Sequence, residues 1–223
     1  MQESFTENKL EKILVIDDHE SVLFGTIQII KKQYNDAEIA TAENAQSALK
    51  QIEIIQPDVV VMDLSIPEKS GETGRTEVGI ELLRKLLKNY PTLNIIVQSA
   101  HIKTLVRIKP EIDAHQGGFT IADKSLSSQE MLRRVDWAFQ GLTHTKDIKG
   151  SGLEIKPECV TLVNLAFNEG LTDKAIAARM CVSERMVRHY WTKLQDALEV
   201  YPEEKKNIRI QTEKSAREMG LID

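Results

Sequence analysis

Three carboxylates, a hydroxyl and an ammonium stand at the ends of short apolar runs in the first half of this 223-residue chain. Ile13-Leu-Val-Ile16 runs into Asp17-Asp18, Val59-Val-Val-Met62 into Asp63, Ile95-Ile-Val-Gln98 into Ser99, and Phe119-Thr-Ile-Ala122 into Asp123-Lys124. Carboxylates gathered within a few ångströms repel, and one of them would ordinarily take up a proton. A hard divalent cation removes the conflict. Magnesium favours a few carboxylates plus water and phosphate oxygens, held at about 2.0–2.1 Å. Asp17, Asp18 and Asp63 could supply such a shell and leave one Asp63 oxygen free to attack phosphorus, since aspartate can form an acyl phosphate. Lys124 would then face the transferred phosphoryl oxygens as a point charge, while Ser99 donates a hydrogen bond to another.

These residues meet only if the fold brings the ends of the runs together. Continuous β-branched runs without polar alternation suit strands buried on both faces of a parallel sheet. Open parallel sheets carry their sites at the carboxyl ends of the strands. Helical periodicity fills the gaps: 21–33 through Val22, Ile27 and Ile30; 44–55 through Ala45, Ala48, Leu49 and Ile52; Gly79–Tyr90 through Ile80, Leu83, Leu86 and Leu87. Ser127-Ser-Gln-Glu130 reads as a capping box opening a helix with Leu132, Val135 and Phe139 inward. The alternation predicts a doubly wound α/β sheet. Glu38–Thr41 is only weakly marked as a strand.

In this order the acidic pair, Asp63-Leu-Ser-Ile-Pro67, Ser99-Ala100 and Lys124 resemble the receiver domain of two-component response regulators over roughly residues 11–140. The resemblance implies a flavodoxin-like five-stranded parallel sheet, with the second strand at 38–41, and Asp63 as phosphoacceptor. It also implies Mg2+ held directly by Asp18 and Asp63, by Asp17 largely through water, and by the Ser65 backbone carbonyl. Three features depart from that pattern. The segment 68–78 is longer than the usual loop, and its two glycines and lack of an apolar run predict a mobile surface loop, with a lid or docking loop as the alternative. Ile121 stands where many receivers carry a switching aromatic, with Phe119 two residues too early. The helix between Ser99 and Phe119 contains Pro110 and ends in Gly117-Gly118, so it should be short or bent.

Beyond Phe139 the text changes. Residues 141–153 lack apolar periodicity and read as a linker between a domain over 1–140 and another over 154–223. Pro157 opens a helix ending near Gly170. Thr172 caps a short helix to Met180, and Ser183 caps a longer one through Val187, Tyr190, Trp191, Leu194 and Leu198. Two helices joined by Cys181-Val182 form a helix-turn-helix. Asn168–Arg188 resembles the LuxR-type output domain, with Lys205–Ile222 as its closing helix; with the receiver, this is the NarL/FixJ class. The resemblance implies that Arg185, Arg188, His189, Thr192 and Lys193 meet DNA in the major groove, mostly at phosphates. Trp191 and Tyr190 read as core or interface.

Composition is that of an ordinary globular chain, 41% hydrophobic and 28% charged. No run approaches the roughly 20 apolar residues that span a bilayer, and Met1–Asn8 lacks a secretory pattern. Cys159 and Cys181 read as reduced thiols packed in small helices. The second half carries 11 Lys/Arg against 12 Asp/Glu from Leu153 onward, a net of −1 that leaves −4 for residues 1–152. A DNA-binding domain usually shows a more basic surface, so phosphate binding by one copy should be weak. The expected protein is a cytoplasmic, non-enzymatic transcription regulator, phosphorylated on Asp63 by a histidine kinase and binding promoter DNA as a homodimer. The alternative is a phosphorylation-controlled interaction adaptor whose helical domain does not read DNA.

Overall fold

The computed structural model describes residues 11–145 and 155–222; Met1–Asn8 and most of the expected linker lie outside the described residues. The described residues fall into two compact units, 11–102 with 110–145, and 103–109 with 155–222.

The first unit is built on a parallel sheet. Its strands are β1 (Lys12–Ile16), β2 (Glu38–Ala42), β3 (Val59–Met62), β4 (Asn94–Ser99), β5 (Phe119–Asp123) and β6 (Thr143–His144), in the order β2-β1-β3-β4-β5-β6. The three runs in β1, β3 and β4 are buried on both faces, as their unbroken β-branched text requires. Strand alternation sends Ile13, Val15, Val59, Val61 and Ile96 into one core with Leu23, Ile30, Met131, Val135 and Ala138. That core lies under α1 (Glu20–Lys31) and α5 (Ser128–Phe139), which pack on each other. The helices α2 (Ala45–Ile55) and α3 (Thr76–Asn89) form a second pair. Asn44 caps α2 with a reciprocal capping box to Ser47, and the Ser127 hydroxyl accepts from Glu130 N at the start of α5.

Four expectations change. The sheet has six strands, because residues Thr143–His144, expected in the linker, pair in parallel with Phe119 and Thr120. The added strand is held from the side: Arg134 hydrogen-bonds His144, and the Trp137 ring lies 5.0 Å from the His144 ring. Second, α3 begins at Thr76 rather than Gly79, so the segment 68–78 contributes its last three residues to a helix. Third, Leu132 is only half-buried, since Met131 and Ala138 take the inner face of α5. Fourth, Cys181 is exposed, in a turn at φ +55°, instead of packed in a helix; Cys159 is buried as expected. The short or bent helix before β5 is present as a 3₁₀ segment, Ile102–Ile108, followed by five residues of α4 (Lys109–Asp113) with Pro110 in its first turn.

In the second unit, α6 (Pro157–Val163) starts with Pro157 at its first position and widens into a π-turn over Asn164–Asn168. The pair α7 (Asp173–Arg179) and α8 (Glu184–Ala197) forms the expected helix-turn-helix, capped by the Thr172 and Ser183 hydroxyls. The closing helix α9 runs over Ile208–Glu218, shorter than expected at both ends because Asn207 caps it and Gly220 turns at φ +76°. Trp191 is the centre of this unit. Its ring meets Phe167 edge-on at 5.6 Å and lies under the Arg209 guanidinium at 3.5 Å. Asp173 accepts from the Trp191 indole N–H at 3.0 Å and from Arg209 Nη2 at 2.8 Å, tying α7, α8 and α9 to one carboxylate.

Asp173→Ala would leave two donors without their acceptor. We expect a loss of about 1–3 kcal/mol from the second unit, read as a lower urea midpoint of Trp191 fluorescence in a Trp137→Phe background. An unchanged midpoint would show that the carboxylate contributes nothing to holding the three helices.

Candidate functional site

Sheet register gathers the acids. Ile16 pairs with Met62, so the next residues, Asp17 and Asp63, leave neighbouring strands side by side. Asp63 N donates to Ile16 O at 2.8 Å, and Asp17 N donates to Ala42 O at 3.1 Å. Ser99 pairs with Asp123, which puts Lys124 one residue past the same edge. The pairings Ile16–Met62, Met62–Val97 and Ser99–Asp123 bring the carboxyl ends of β1, β3, β4 and β5 to one edge.

The side chains then converge. Lys124 Nζ donates to Asp17 Oδ2 and to Asp63 Oδ2, both at 2.7 Å. Asp63 Oδ1 accepts from Leu64 N at 2.6 Å, and Asp17 Oδ1 accepts from His19 N at 2.9 Å. Asp17 and Asp63 are almost wholly buried. Burial alone would push the Asp63 carboxyl up, but hydrogen bonds from Lys124 and Ser99 and the Lys124 charge hold it below the usual carboxylate range. Lys124 answers in kind: burial pushes it down, yet Asp17 and Asp63 leave its ammonium harder to deprotonate than a free lysine. Ser99 Oγ also accepts from His101 N at 3.1 Å, which fixes the hydroxyl.

Asp18 differs from its neighbours. Its Oδ1 is a buried oxygen without a hydrogen-bond partner, although His19 Nδ1 lies 2.8 Å away as a close polar contact. Ligand atoms of Asp17, Asp18 and His19 lie within 4.8 Å of one another. His19 occupies the N-cap position of α1 without a side-chain cap hydrogen bond and stands 65% exposed beside the acids. An all-oxygen set of carboxylates and the Ser65 carbonyl fits a hard divalent cation such as Mg2+. Ile121, aliphatic where a switching aromatic would carry a ring, is fully buried in β5. Sequence reasoning missed Gly74, where an added Cβ would crowd both Ser65 O and Asp18 Oδ2; the visible signal was a second glycine in the long loop.

Family comparison agrees with the pocket. Residues 13–136 match the response regulator receiver domain. The chain belongs to that family. This receiver and the helices after it align with the transcriptional regulatory protein YdfI of Bacillus subtilis (strain 168), 27% identical over 85% of this chain and 90% of the relative. They also align with the DNA-binding transcriptional activator DevR/DosR of Mycobacterium tuberculosis (strain ATCC 25618 / H37Rv), 25% identical over 82% and 86%. Solved structures share the fold. RcsB from Salmonella enterica serovar Typhimurium, bound to promoter rprA with phosphomimetic BeF3−, superposes at TM-score 0.54 with 19% identity, covering 93% of this chain and 98% of the other. An RcsB-DNA complex superposes at TM-score 0.59 with 18% identity over the same shares. The NarL/FixJ order read from the sequence, a receiver followed by a helix-turn-helix, therefore holds.

The second candidate surface is α8. Arg185, Arg188, His189, Thr192 and Lys193 are all exposed, while Val187, Trp191 and Leu194 point into the core. A residue spacing of three and four places the five on one face. Glu184 lies 4.0 Å from Arg188, an exposed pair too weak to hold the guanidinium. Tyr190 is half-buried and Trp191 buried, as core readings predicted.

The pKa directions give a sign. Asp63, lowered in the folded state, contributes stability above its unfolded value, and that contribution is lost as pH falls through the folded one. Lys124, raised, contributes below its unfolded value and loses that contribution as pH rises through the folded one. In Lys124→Met the burial effect on Asp63 is left with less opposition. Its carboxyl carbon, followed by NMR, should titrate below the ordinary aspartate range in wild type and well above that midpoint in the variant. Equal midpoints would show that the ammonium does not set the state of Asp63.

Proposed function

We propose that Asp63 accepts a phosphoryl group from a histidine kinase and that this modification governs transcription through DNA binding by α8. The observation that carries this reading is the single ammonium of Lys124 held 2.7 Å from both Asp17 and Asp63 at the carboxyl edge of the sheet. An Asp63 carboxylate kept ionised is a nucleophile. One of its oxygens forms a bond to phosphorus as the P–N bond of a phosphohistidine breaks, and the bonding pair returns to the imidazole. Lys124 is placed to exchange a carboxylate oxygen for a phosphoryl oxygen, and the Ser99 hydroxyl to donate to another. Asp17, Asp18, Asp63 and the Ser65 carbonyl would hold Mg2+, which when bound offsets the charge of acids and phosphoryl group together.

On the same reading α8 enters the major groove with Arg185, Arg188, His189, Thr192 and Lys193 toward DNA. The output half is not basic overall, so a homodimer on two half-sites would supply useful affinity by bivalency. YdfI and DevR/DosR are named as transcriptional regulators, which disfavours an adaptor without DNA contacts and accords with a non-enzymatic role. Among the described residues no helix is long and apolar enough to cross a membrane.

Two outcomes check this. Incubated with a small acyl-phosphate donor and Mg2+, wild type should gain the mass of one phosphoryl group, while Asp63→Asn gains none; phosphorylation of the variant at the wild-type level would move the acceptor elsewhere. In fluorescence anisotropy across a salt series, Arg185→Ala and Arg188→Ala should each cost about 1–3 kcal/mol where the side chain reads a base, or lower the salt slope by about one where it meets phosphate. Binding of wild type that is independent of salt and sequence even after phosphorylation would favour the adaptor.

A further inference from the structure

The long loop after β3 closes on the pocket instead of standing away from it. It leaves at Pro67 and Glu68, whose carbonyls accept from Ala45 N at 3.0 Å and Gln46 N at 3.2 Å in the first turn of α2. It returns at Arg75, whose N–H donates to Ile66 O at 3.0 Å in an isolated antiparallel bridge. Between these anchors Lys69–Thr73 is exposed. Two glycines then meet the backbone that follows Asp63. Gly79 in α3 lies so close to Leu64 that any Cβ would overlap its backbone. At Gly74 an added Cβ would sit 2.8 Å from Ser65 O, 3.2 Å from Ser65 C and 3.0 Å from Asp18 Oδ2.

Gly74 does not have the positive φ that marks Gly71 at +86°. Its lack of a side chain therefore supplies room, not backbone freedom. The space spared is bounded by two oxygens that the pocket offers to a cation: a backbone carbonyl, which cannot swing aside as a long side chain can, and the carboxylate of Asp18. Both face the same bare Cα.

We infer that Gly74 is a positioning residue for the cation: the loop lies against Ser65 O and Asp18 Oδ2 and sets how close these two donors stand, which favours a small ion over a large one. This rests on the cation pocket proposed above. Mg2+ demands near-ideal geometry at about 2.0–2.1 Å, whereas Ca2+ tolerates irregular shells at about 2.3–2.6 Å. Displacing the Ser65 carbonyl by a methyl group should consequently harm Mg2+ binding more than Ca2+ binding. A general loss of folding would lower both alike.

The test is calorimetric titration of the full chain with Mg2+ alone and with Ca2+ alone, for wild type, Gly74→Ala and the exposed neighbour Thr73→Ala, with thermal melts alongside. Expected are a roughly tenfold loss of Mg2+ affinity in Gly74→Ala, a smaller loss for Ca2+, so that the preference shifts toward Ca2+, and no change in Thr73→Ala. An unaltered Mg2+ to Ca2+ ratio in Gly74→Ala overturns the inference while leaving the pocket reading intact. Failure of wild type to bind either ion overturns the pocket reading itself, and this one with it. Should Gly74→Ala not fold, hydrogen exchange of wild type decides. Saturating Mg2+ should slow exchange of the Arg75 amide, which closes the loop on Ile66, and unchanged exchange there overturns the inference.

Discussion

Two buried carboxylates share one ammonium at the carboxyl edge of the sheet, and much of the first unit can be understood as the means of keeping them there. Asp17 and Asp63 leave adjacent strands in matched register, so the backbone alone drives like charges together. Without Lys124 that juxtaposition would favour a proton on one of them. Bridging by the lysine keeps Asp63 ionised and its neighbours ordered, at the cost of making the ammonium part of the site's resting balance. On the proposed function, a group that modifies Asp63 would take over one arm of that bridge, so that chemistry and response would act on the same nitrogen.

The sequence revealed those elements whose surroundings are uniform. Residues 13–16, 59–62 and 95–97 are buried on both faces, so their composition reports their place directly. The edge strand β2 keeps only Ala42 buried, which is why Glu38–Thr41 reads so faintly. Strand β6 is two residues long, and nothing in Thr143-His144 announces it; its evidence lies in the partner backbone of β5 and in Arg134 and Trp137. Local text cannot carry information held by distant atoms. Gly74 illustrates the same limit, because its meaning depends on Ser65 and Asp18 and not on its neighbours in the loop.

The helical unit was legible for a different reason. Capping residues Thr172 and Ser183 mark helix starts by side-chain chemistry that acts within three residues, and the α8 pattern separates its core and exposed faces by spacing alone. What spacing could not tell was how its core is tied. Arg209 and Asp173 are 36 residues apart, yet they enclose the Trp191 indole from two sides. The exposed turn at Cys181 escaped notice for a related reason: a positive φ in a residue other than glycine leaves little trace in composition.

The short strand β6 changes the mechanics of the connection that follows it. Because it runs parallel to β5 and pairs with Phe119 and Thr120, tension applied from beyond residue 145 along the strand axis would load its hydrogen bonds in shear, together, rather than peel them one at a time. The Arg134 and Trp137 contacts to His144 add a lateral grip. The chain is therefore moored to the sheet at His144, beyond the end of α5.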